Sequence, residues 1–448
     1  MTFVEACRKI ISFDTSPQAG TRELVHWLSE FAKSRGLFVE VDEEVLGNFE
    51  QANILIRPVP QRPQVEFLLQ THLDTPDPGP FGLWSETGHN PFDAHIIDQK
   101  IHGLGAADVK LDFLCKLEAL SAFSQDSQWR LPPVLVGTYG EELGMPGALK
   151  LIRKNKFSAK MAVIGEPSNL SLITAGKGMA AVEIRIPYSD EERNYRFEHN
   201  LRESTSSQSR IFNGKSAHSS TPHLGESALK KMFDYLLQLP ENIVVMEMDG
   251  GVNFNTVPAN AFLEIDPVSG FSDPMSKKVS TLYRAILEME TQFLSYQDPD
   301  FTPSHPTLNI GLVRTFEDHV FISGTCRLPP VVTQEIYDGW MALLKKKAES
   351  VGADFRVTDY KRPYRTNENS PFVKGCLAEL DEMGLSTQTG TQSSTNEASL
   401  WSRIGIECIS FGPGVREGNI HTPQENVAID DLKKSVEFYR RVIERFCL

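Results

Sequence analysis

His72 and Asp74 stand one residue apart in THLDTP, directly after the apolar run Val65-Glu66-Phe67-Leu68-Leu69. Residues two apart in an extended segment project to the same side. If the imidazole binds a metal, the carboxylate can hold its other ring nitrogen and fix the tautomer. Taken alone, a His-x-Asp pair after a strand reads as well as a polar turn. Four further sites supply it with company. Tyr139-Gly140-Glu141-Glu142 follows Val134–Thr138, and Glu166-Pro167-Ser168 follows Met161-Ala162-Val163-Ile164-Gly165. His421 lies in the loop that leaves Ile409-Ser410-Phe411 through Gly412-Pro413-Gly414, and Asp108 in GLGAADVK opens a helix beginning near Val109. Paired glutamates are usually a solvated surface, and Asp before a helix is usually an N-cap. Carboxylates and imidazoles recurring at strand ends, however, are what cation binding needs.

The elements that must position these groups are legible from periodicity. Helical spacing of apolar residues runs through Thr21–Arg35, Val109–Phe123, Glu226–Leu237, Thr333–Ser350 and Asp430–Phe446. Short β-rich runs alternate with them at Val65–Gln70, Val134–Thr138, Ala162–Ile164 and Glu407–Phe411. That alternation predicts an α/β fold with a mainly parallel central sheet flanked by helices. Ligands of open α/β sheets bind outside the carboxyl ends of the strands, so the acidic and imidazole groups should converge in one crevice.

The middle of the chain reads differently. Met179–Pro187 alternates like an amphipathic strand, and Ala261–Asp266 and His319–Cys326 are strand-like again. Polar stretches such as SDEERNYRFEHNLRESTSSQSR separate these runs. The pattern predicts a smaller α+β domain over residues 178–328, inserted between the two parts of a larger domain at 1–177 and 329–448.

Length and composition bound the function. At 448 residues the chain exceeds one ordinary core. A formal charge of −14 argues against nucleic acid or an anionic membrane as partner. No apolar run approaches the roughly 20 residues that span a bilayer. The start, MTFVEACRKIISF, lacks the features of a signal peptide, so a cytoplasmic location is expected. The six cysteines are scattered without a Cys-x-x-Cys pair, as structural thiols of a reducing compartment would be.

These motifs resemble the two-zinc aminoacylase and carboxypeptidase family that includes acetylornithine deacetylase and succinyl-diaminopimelate desuccinylase. THLDTP, GLGAADVK, GTYGEELG, VIGEPS, NGKSAHSSTPHLGESAL, CRLPP and FGPGVREGNIHTPQE occur in the family's order from about Val65 to Glu425. The resemblance implies a zinc-peptidase-like catalytic domain with an inserted lid and dimerisation domain. It implies that His72, Asp108 and Glu166 bind one divalent ion and that Asp108, Glu142 and His421 bind the other. Asp108 would then bridge, Asp74 would orient His72, and Glu141 would be the general base. His218 in SAHSS would reach the active site of the partner subunit of a homodimer and stabilise the oxyanion. Asn255 in NFNTVP and Arg327 in CRLPP would contact substrate, Arg327 gripping a free carboxylate bidentately.

The chemistry is coherent on its own terms. Ions about 3.5–4 Å apart suit a shared carboxylate and together acidify a bridging water. Imidazole and carboxylate donors without thiolate favour zinc, with cobalt or manganese as alternatives. In the family, Glu at position 166 goes with deacylases and carboxypeptidases, and Asn396-Glu397-Ala398 resembles the Thr-Glu-Ala of acetylornithine deacetylases. The resemblance thus implies removal of an acetyl or succinyl group from an N-acyl amino acid. A carboxypeptidase or dipeptidase acting on small peptides and an inactive metal-binding scaffold are the alternatives.

The chain also departs from the family pattern. Leu104 stands where Arg is common, and Leu111 where Gly is usual. A segment near Gly270–Thr307 reads as an insertion between Asn255 and Arg327. His89, His95, His102, His223, His305 and His319 match no ligand position and are expected at the surface.

Overall fold

The computed structural model describes residues 1–123, 128–200, 206–240, 243–267 and 274–448. Positions 270–273 of the extra segment lie outside the described residues. The chain forms two compact units. One comprises Met1–Ala175, Arg365–Thr391 and Asn396–Leu448; the other comprises Gly176–Tyr364 with Gln392–Thr395. Residues 329–364, expected in the second part of the catalytic domain, therefore belong with the inserted unit. The reason is packing: helix Gln334–Ser350 buries Tyr337, Trp340, Met341 and Leu344 in that unit's core. Strand Asp354–Lys361 then pairs antiparallel with Gly178–Pro187.

The sheet of the first unit runs in the order Phe38–Leu46, Phe49–Arg57, Pro133–Thr138, Glu66–His72, Ala159–Gly165, Glu407–Phe411 and Leu172–Gly176. Its four strands from Pro133–Thr138 to Glu407–Phe411 are mutually parallel, and the neighbours on either side join them antiparallel. The parallel strands are the near-continuous apolar runs of the sequence, as burial on both faces requires. Register aligns their carboxyl ends: His72 lies opposite Thr138, and Phe411 opposite Gly165. The motifs that follow these strands therefore leave the sheet along one edge.

Helix Lys110–Ser121 packs against strand Glu66–His72 and against the C-terminal helix Ile429–Cys447. Its fully buried charged residues include Asp112 and Lys116, which form an ion pair. Lys116 Nζ donates to Asp112 Oδ2 at 2.7 Å, to Thr71 Oγ1 at 2.8 Å and to the Gln70 carbonyl at 2.7 Å. Asp112 also accepts from Thr71 Oγ1 at 2.8 Å, and the Tyr439 hydroxyl donates to it at 2.5 Å. Breaking such a pair typically costs about 3–5 kcal/mol, because one charge is left buried alone. The network locks helix to strand directly behind His72. It also explains Gly165, where a Cβ would sit 2.2 Å from Asp112 Oδ2.

The second unit is built on an antiparallel sheet in the order Gln208–Asn213, Asn260–Asp266, Val244–Gly250, Thr307–Thr315, His319–Leu328, Gly178–Pro187 and Asp354–Lys361. The extra segment contributes helix Pro274–Phe293, which buries Met275, Val279, Leu282, Ile286, Met289 and Phe293. That three-and-four spacing is an amphipathic helix pattern, and the helix completes the unit's core. Within the stretch read as polar, Asp190–Glu198 is helical, started by a capping box between Ser189 and Glu192. All six cysteines are buried and unpaired. No helix among the described residues is long and apolar enough to cross a membrane.

Candidate metal centre

His72 is the last residue of its strand, and its ring is buried. Its Nδ1 lies 3.1 Å from the carbonyl oxygen of Asp74, whereas the Asp74 carboxylate is 3.6 Å away, beyond hydrogen-bond reach. The nearer partner of the imidazole is thus the main-chain carbonyl of Asp74, with the Asp74 carboxylate at ion-pair distance. A proton on Nδ1 donated to that carbonyl leaves the Nε2 lone pair facing Asp108, with Nε2 3.4 Å from Asp108 Oδ1. The Asp74 carboxylate instead accepts from the backbone N–H of Glu141 at 3.0 Å and of Glu142 at 3.1 Å. It therefore pins the turn that carries both glutamates.

Asp108 is the hub. Its Oδ1 faces His72, and its Oδ2 lies 3.2 Å from His421 Nε2. The same His421 nitrogen is 2.9 Å from Glu142 Oε1. Asp108, Glu142 and His421 offer ligand atoms that all lie within 4.8 Å of one another. Glu166 is buried nearby, and its Oε2 meets Arg416 Nη1 at 3.2 Å. Glu141 follows Gly140, whose φ of 73° turns the chain sharply after the strand.

Electrostatics report how strongly carboxylates are concentrated here. Burial drives the Glu141 carboxyl well above the usual range; His72 opposes this, and Glu142, Glu166 and Glu397 reinforce it. Desolvation pulls His421 down, but hydrogen bonds to Asp108 and Glu142 overcome it and push the ring up to about 11. His72 is likewise raised well above its ordinary value by Asp108 and Asp74, against its burial. Both imidazoles are thus drawn toward positive charge by the surrounding carboxylates. Divalent cations meet the same demand, and the donors are of the type that zinc, cobalt and manganese accept. The residues fit a metal centre, with one carboxylate presenting each oxygen to a different imidazole.

Sequence reasoning gave no role to three groups that hold the site. Glu425 is buried and accepts from the backbone N–H of Ala107 at 2.9 Å and of Asp108 at 3.0 Å. Burial is the main reason its carboxyl rises to about 7. Glu397 accepts from Thr138 Oγ1 at 2.7 Å and from Gln70 Nε2, which ties together the strands beneath the ligands. Burial pushes it up to about 8. The third is Arg416. Glu425 and Arg416 both lie within the FGPGVREGNIHTPQE motif, and Glu397 within the Asn396-Glu397-Ala398 match.

The expected residues of the inserted unit form a cluster of their own. His218 Nδ1 lies 2.7 Å from Ser220 Oγ and accepts from the backbone N–H of Ser220 at 3.1 Å. An accepting Nδ1 puts the proton of the neutral ring on Nε2. Arg327 is buried in strand His319–Leu328, and its Nη2 donates to Ser219 Oγ at 3.2 Å. The Ser219 N–H donates to the Asn255 carbonyl at 2.8 Å. Ser219 thus joins His218, Asn255 and Arg327, despite the long segment between the last two. Of the histidines expected at the surface, His89 and His223 are exposed, whereas His95, His102, His305 and His319 are half-buried.

Comparison with known proteins identifies the lineage. The chain belongs to peptidase family M20/M25/M40, whose profile matches residues 68–445. Acetylornithine deacetylase of Vibrio vulnificus is 24% identical over 454 residues, covering 98% of this chain and 95% of that protein. The enzyme of the same name from Myxococcus xanthus is 24% identical, over 78% of this chain and 73% of that protein. In fold, the chain is similar to an M20-family metallo-carboxypeptidase from Sulfolobus solfataricus, at TM-score 0.64 and 18% identity, covering 100% and 99% of the two chains. It is also similar to aminoacylhistidine dipeptidase from Vibrio alginolyticus, at TM-score 0.65 and 15% identity, covering 99% and 96%. Family membership makes this chain a metallohydrolase acting on amide bonds, in a family whose members use dinuclear metal centres.

Proposed function

We propose that the chain hydrolyses the amide bond of N-acyl amino acids, releasing a small acyl group such as acetyl or succinyl as the carboxylate. The observation that carries this reading is Asp108, whose two oxygens face His72 Nε2 and His421 Nε2 respectively. In this reading His72, Asp108 and Glu166 would hold one divalent ion, most suitably zinc, and Asp108, Glu142 and His421 would hold the other. When bound, the ions supply Lewis acidity to the scissile carbonyl and make a water molecule easier to deprotonate. Glu141 takes the proton of the attacking water and delivers it to the departing amine. Asp74 keeps Glu141 and Glu142 in register through their backbone amides.

His218 donates its Nε2 proton to the developing oxyanion, and Arg327 and Asn255 receive the α-carboxylate and neighbouring amide. The buried Asn255 Oδ1 has no hydrogen-bond partner among the described residues, as suits a group kept for substrate. The curated relatives named acetylornithine deacetylase support a deacylase. A panel of N-acetyl and N-succinyl amino acids and dipeptides, assayed with zinc and with cobalt, tests the reading. Turnover confined to dipeptides moves the assignment to a dipeptidase, and two bound metals without any turnover moves it to a scaffold.

His218 is proposed to act across a two-fold homodimer, in the partner subunit's site. Strand Gln208–Asn213 forms an edge of the second sheet, with Ile211 exposed, and an edge of that kind is available for pairing. Mixing inactive His218→Ala with inactive Glu141→Gln should restore activity once subunits exchange, because one hybrid site regains both groups. Exchange without recovery would remove His218 from the partner's site.

A further inference from the structure

Residues 412–421 leave strand Glu407–Phe411 and bring His421 to the metal centre. The same loop carries Arg416 to Glu166, a ligand proposed for the other ion. Both loops belong to the first unit, and they are stitched together where they start. Ser168 Oγ accepts from the Gly412 N–H at 3.1 Å, and the Gly412 carbonyl accepts from the Leu170 N–H at 3.1 Å. The Gly414 carbonyl accepts from the Asn169 N–H at 2.8 Å. A Cβ on Gly412 would lie 2.6 Å from the Glu166 carbonyl oxygen, so only glycine permits this approach. Further along, the buried Asn419 donates from Nδ2 to the carbonyls of Val415 at 2.9 Å and Asn426 at 2.8 Å. The N–H groups of Asn419 and Ile420 both reach the Arg416 carbonyl at 3.3 Å. The backbone that presents Arg416 to Glu166 is therefore held on both sides.

Arg416 Nη1 lies 3.2 Å from Glu166 Oε2, with the carboxylate side chain 7% exposed and the guanidinium side chain 34%. The other acidic ligands meet a different kind of cation. Asp108 pairs with His72 and His421, and Glu142 with His421. An imidazole can release its proton and turn the freed lone pair to a metal, so it changes from competing cation to neutral ligand. A guanidinium stays protonated and has no lone pair to offer. Arg416 thus remains a positive charge beside Glu166 whatever binds there, engaging one carboxylate oxygen and repelling a divalent ion.

We propose that Arg416 makes the two metal positions unequal. It weakens the position of His72, Asp108 and Glu166, so the position of Asp108, Glu142 and His421 fills first and the ion beside Arg416 is the exchangeable one. The inference rests on the ligand assignment of the proposed function and not on its substrate. A unit and a double charge roughly 6 Å apart repel enough, even in a water-like dielectric, to change affinity about tenfold. The partial exposure of Arg416 keeps the effect at that scale rather than at that of a buried charge.

The test titrates zinc into the metal-free full chain by calorimetry, with a competing chelator for the tighter step. Wild type should take two equivalents in two steps, the second weaker by at least about tenfold. In Arg416→Gln the weaker step should tighten by about tenfold while the tighter step stays in place. Arg416→Lys keeps the charge and should stay close to wild type. Glu166→Gln should remove the weaker step alone, and circular dichroism establishes that each variant is folded. Two ions bound in this pattern without hydrolysis of any N-acyl amino acid would retain the inference and discard the deacylase reading. A weaker step that is unmoved or loosened in Arg416→Gln would overturn the inference, the second result making Arg416 a group that orients Glu166 for the metal. So would a lysine variant that tightens as much as the glutamine one, a wild type that fills both positions in one step, or loss of the tighter step in Glu166→Gln.

Discussion

Glu141→Gln is expected to leave the metal content unchanged and to lower turnover by roughly 10²–10⁴-fold, the range associated with loss of a general acid–base group. The expectation follows from the division of labour between two adjacent glutamates. Glu142 Oε1 lies 2.9 Å from His421 Nε2 and belongs to the cluster with Asp108, whereas Glu141 stands outside that set of mutually close ligand atoms. Both backbone amides are held by the Asp74 carboxylate, so the substitution leaves the turn in place. Glutamine keeps the shape of the side chain and removes the capacity to take up a proton. Elemental analysis alongside steady-state kinetics checks both halves of the expectation. Retention of more than about a tenth of the rate would exclude Glu141 as the base. A loss of metal in parallel with activity would make it a ligand instead.

The parts of the site legible in the sequence were those attached to strands. A parallel strand buried on both faces leaves a continuous apolar run, and the polar residue that ends it stands out, as His72 and Glu166 do. Asp108 and His421 needed the order of motifs as well, since one lies just ahead of a helix and the other in a loop. Glu425 was not legible as a positioning group. Its partners, Ala107 and Asp108, lie more than 300 residues away, and a single carboxylate in a polar loop carries no periodic signal. Arg416 and Glu397 were hidden for the same reason.

The fold shows a parallel contrast. The central parallel strands were readable because burial imposes their composition. The hairpin Phe38–Leu46 with Phe49–Arg57 was passed over, because its first strand is half-exposed and rich in acidic residues. Helix Pro274–Phe293 did carry a clear apolar spacing, but it stood in a segment identified only as surplus to the family pattern. The second domain boundary was missed because CRLPP marks the end of a strand and not the end of a unit. Strand Asp354–Lys361 still had to return and pair with Gly178–Pro187.

Asp108→Ala should abolish binding of both ions and, with them, all measurable turnover. The carboxylate presents Oδ1 to His72 and Oδ2 to His421, so no other side chain of the cluster faces both imidazoles as it does. Its backbone is fixed independently of its side chain, because Glu425 accepts the N–H of Ala107 and of Asp108. The substitution therefore removes the shared ligand without releasing the loop that carries it. It also relieves crowding, since Glu141, Glu142 and Glu166 would face one negative charge fewer. An empty centre in this variant thus reports loss of the bridge rather than collapse of the site. His421→Ala provides the contrast: it removes a ligand from one side alone, so one equivalent of metal should remain with His72, Asp108 and Glu166. Equilibrium dialysis followed by elemental analysis, with circular dichroism to establish that each variant is folded, separates the two patterns. Two equivalents retained by folded Asp108→Ala would rule out a bridging role. Loss of both ions from His421→Ala would instead show that the two positions fill only together, with Asp108 unable to hold either ion once one imidazole is gone.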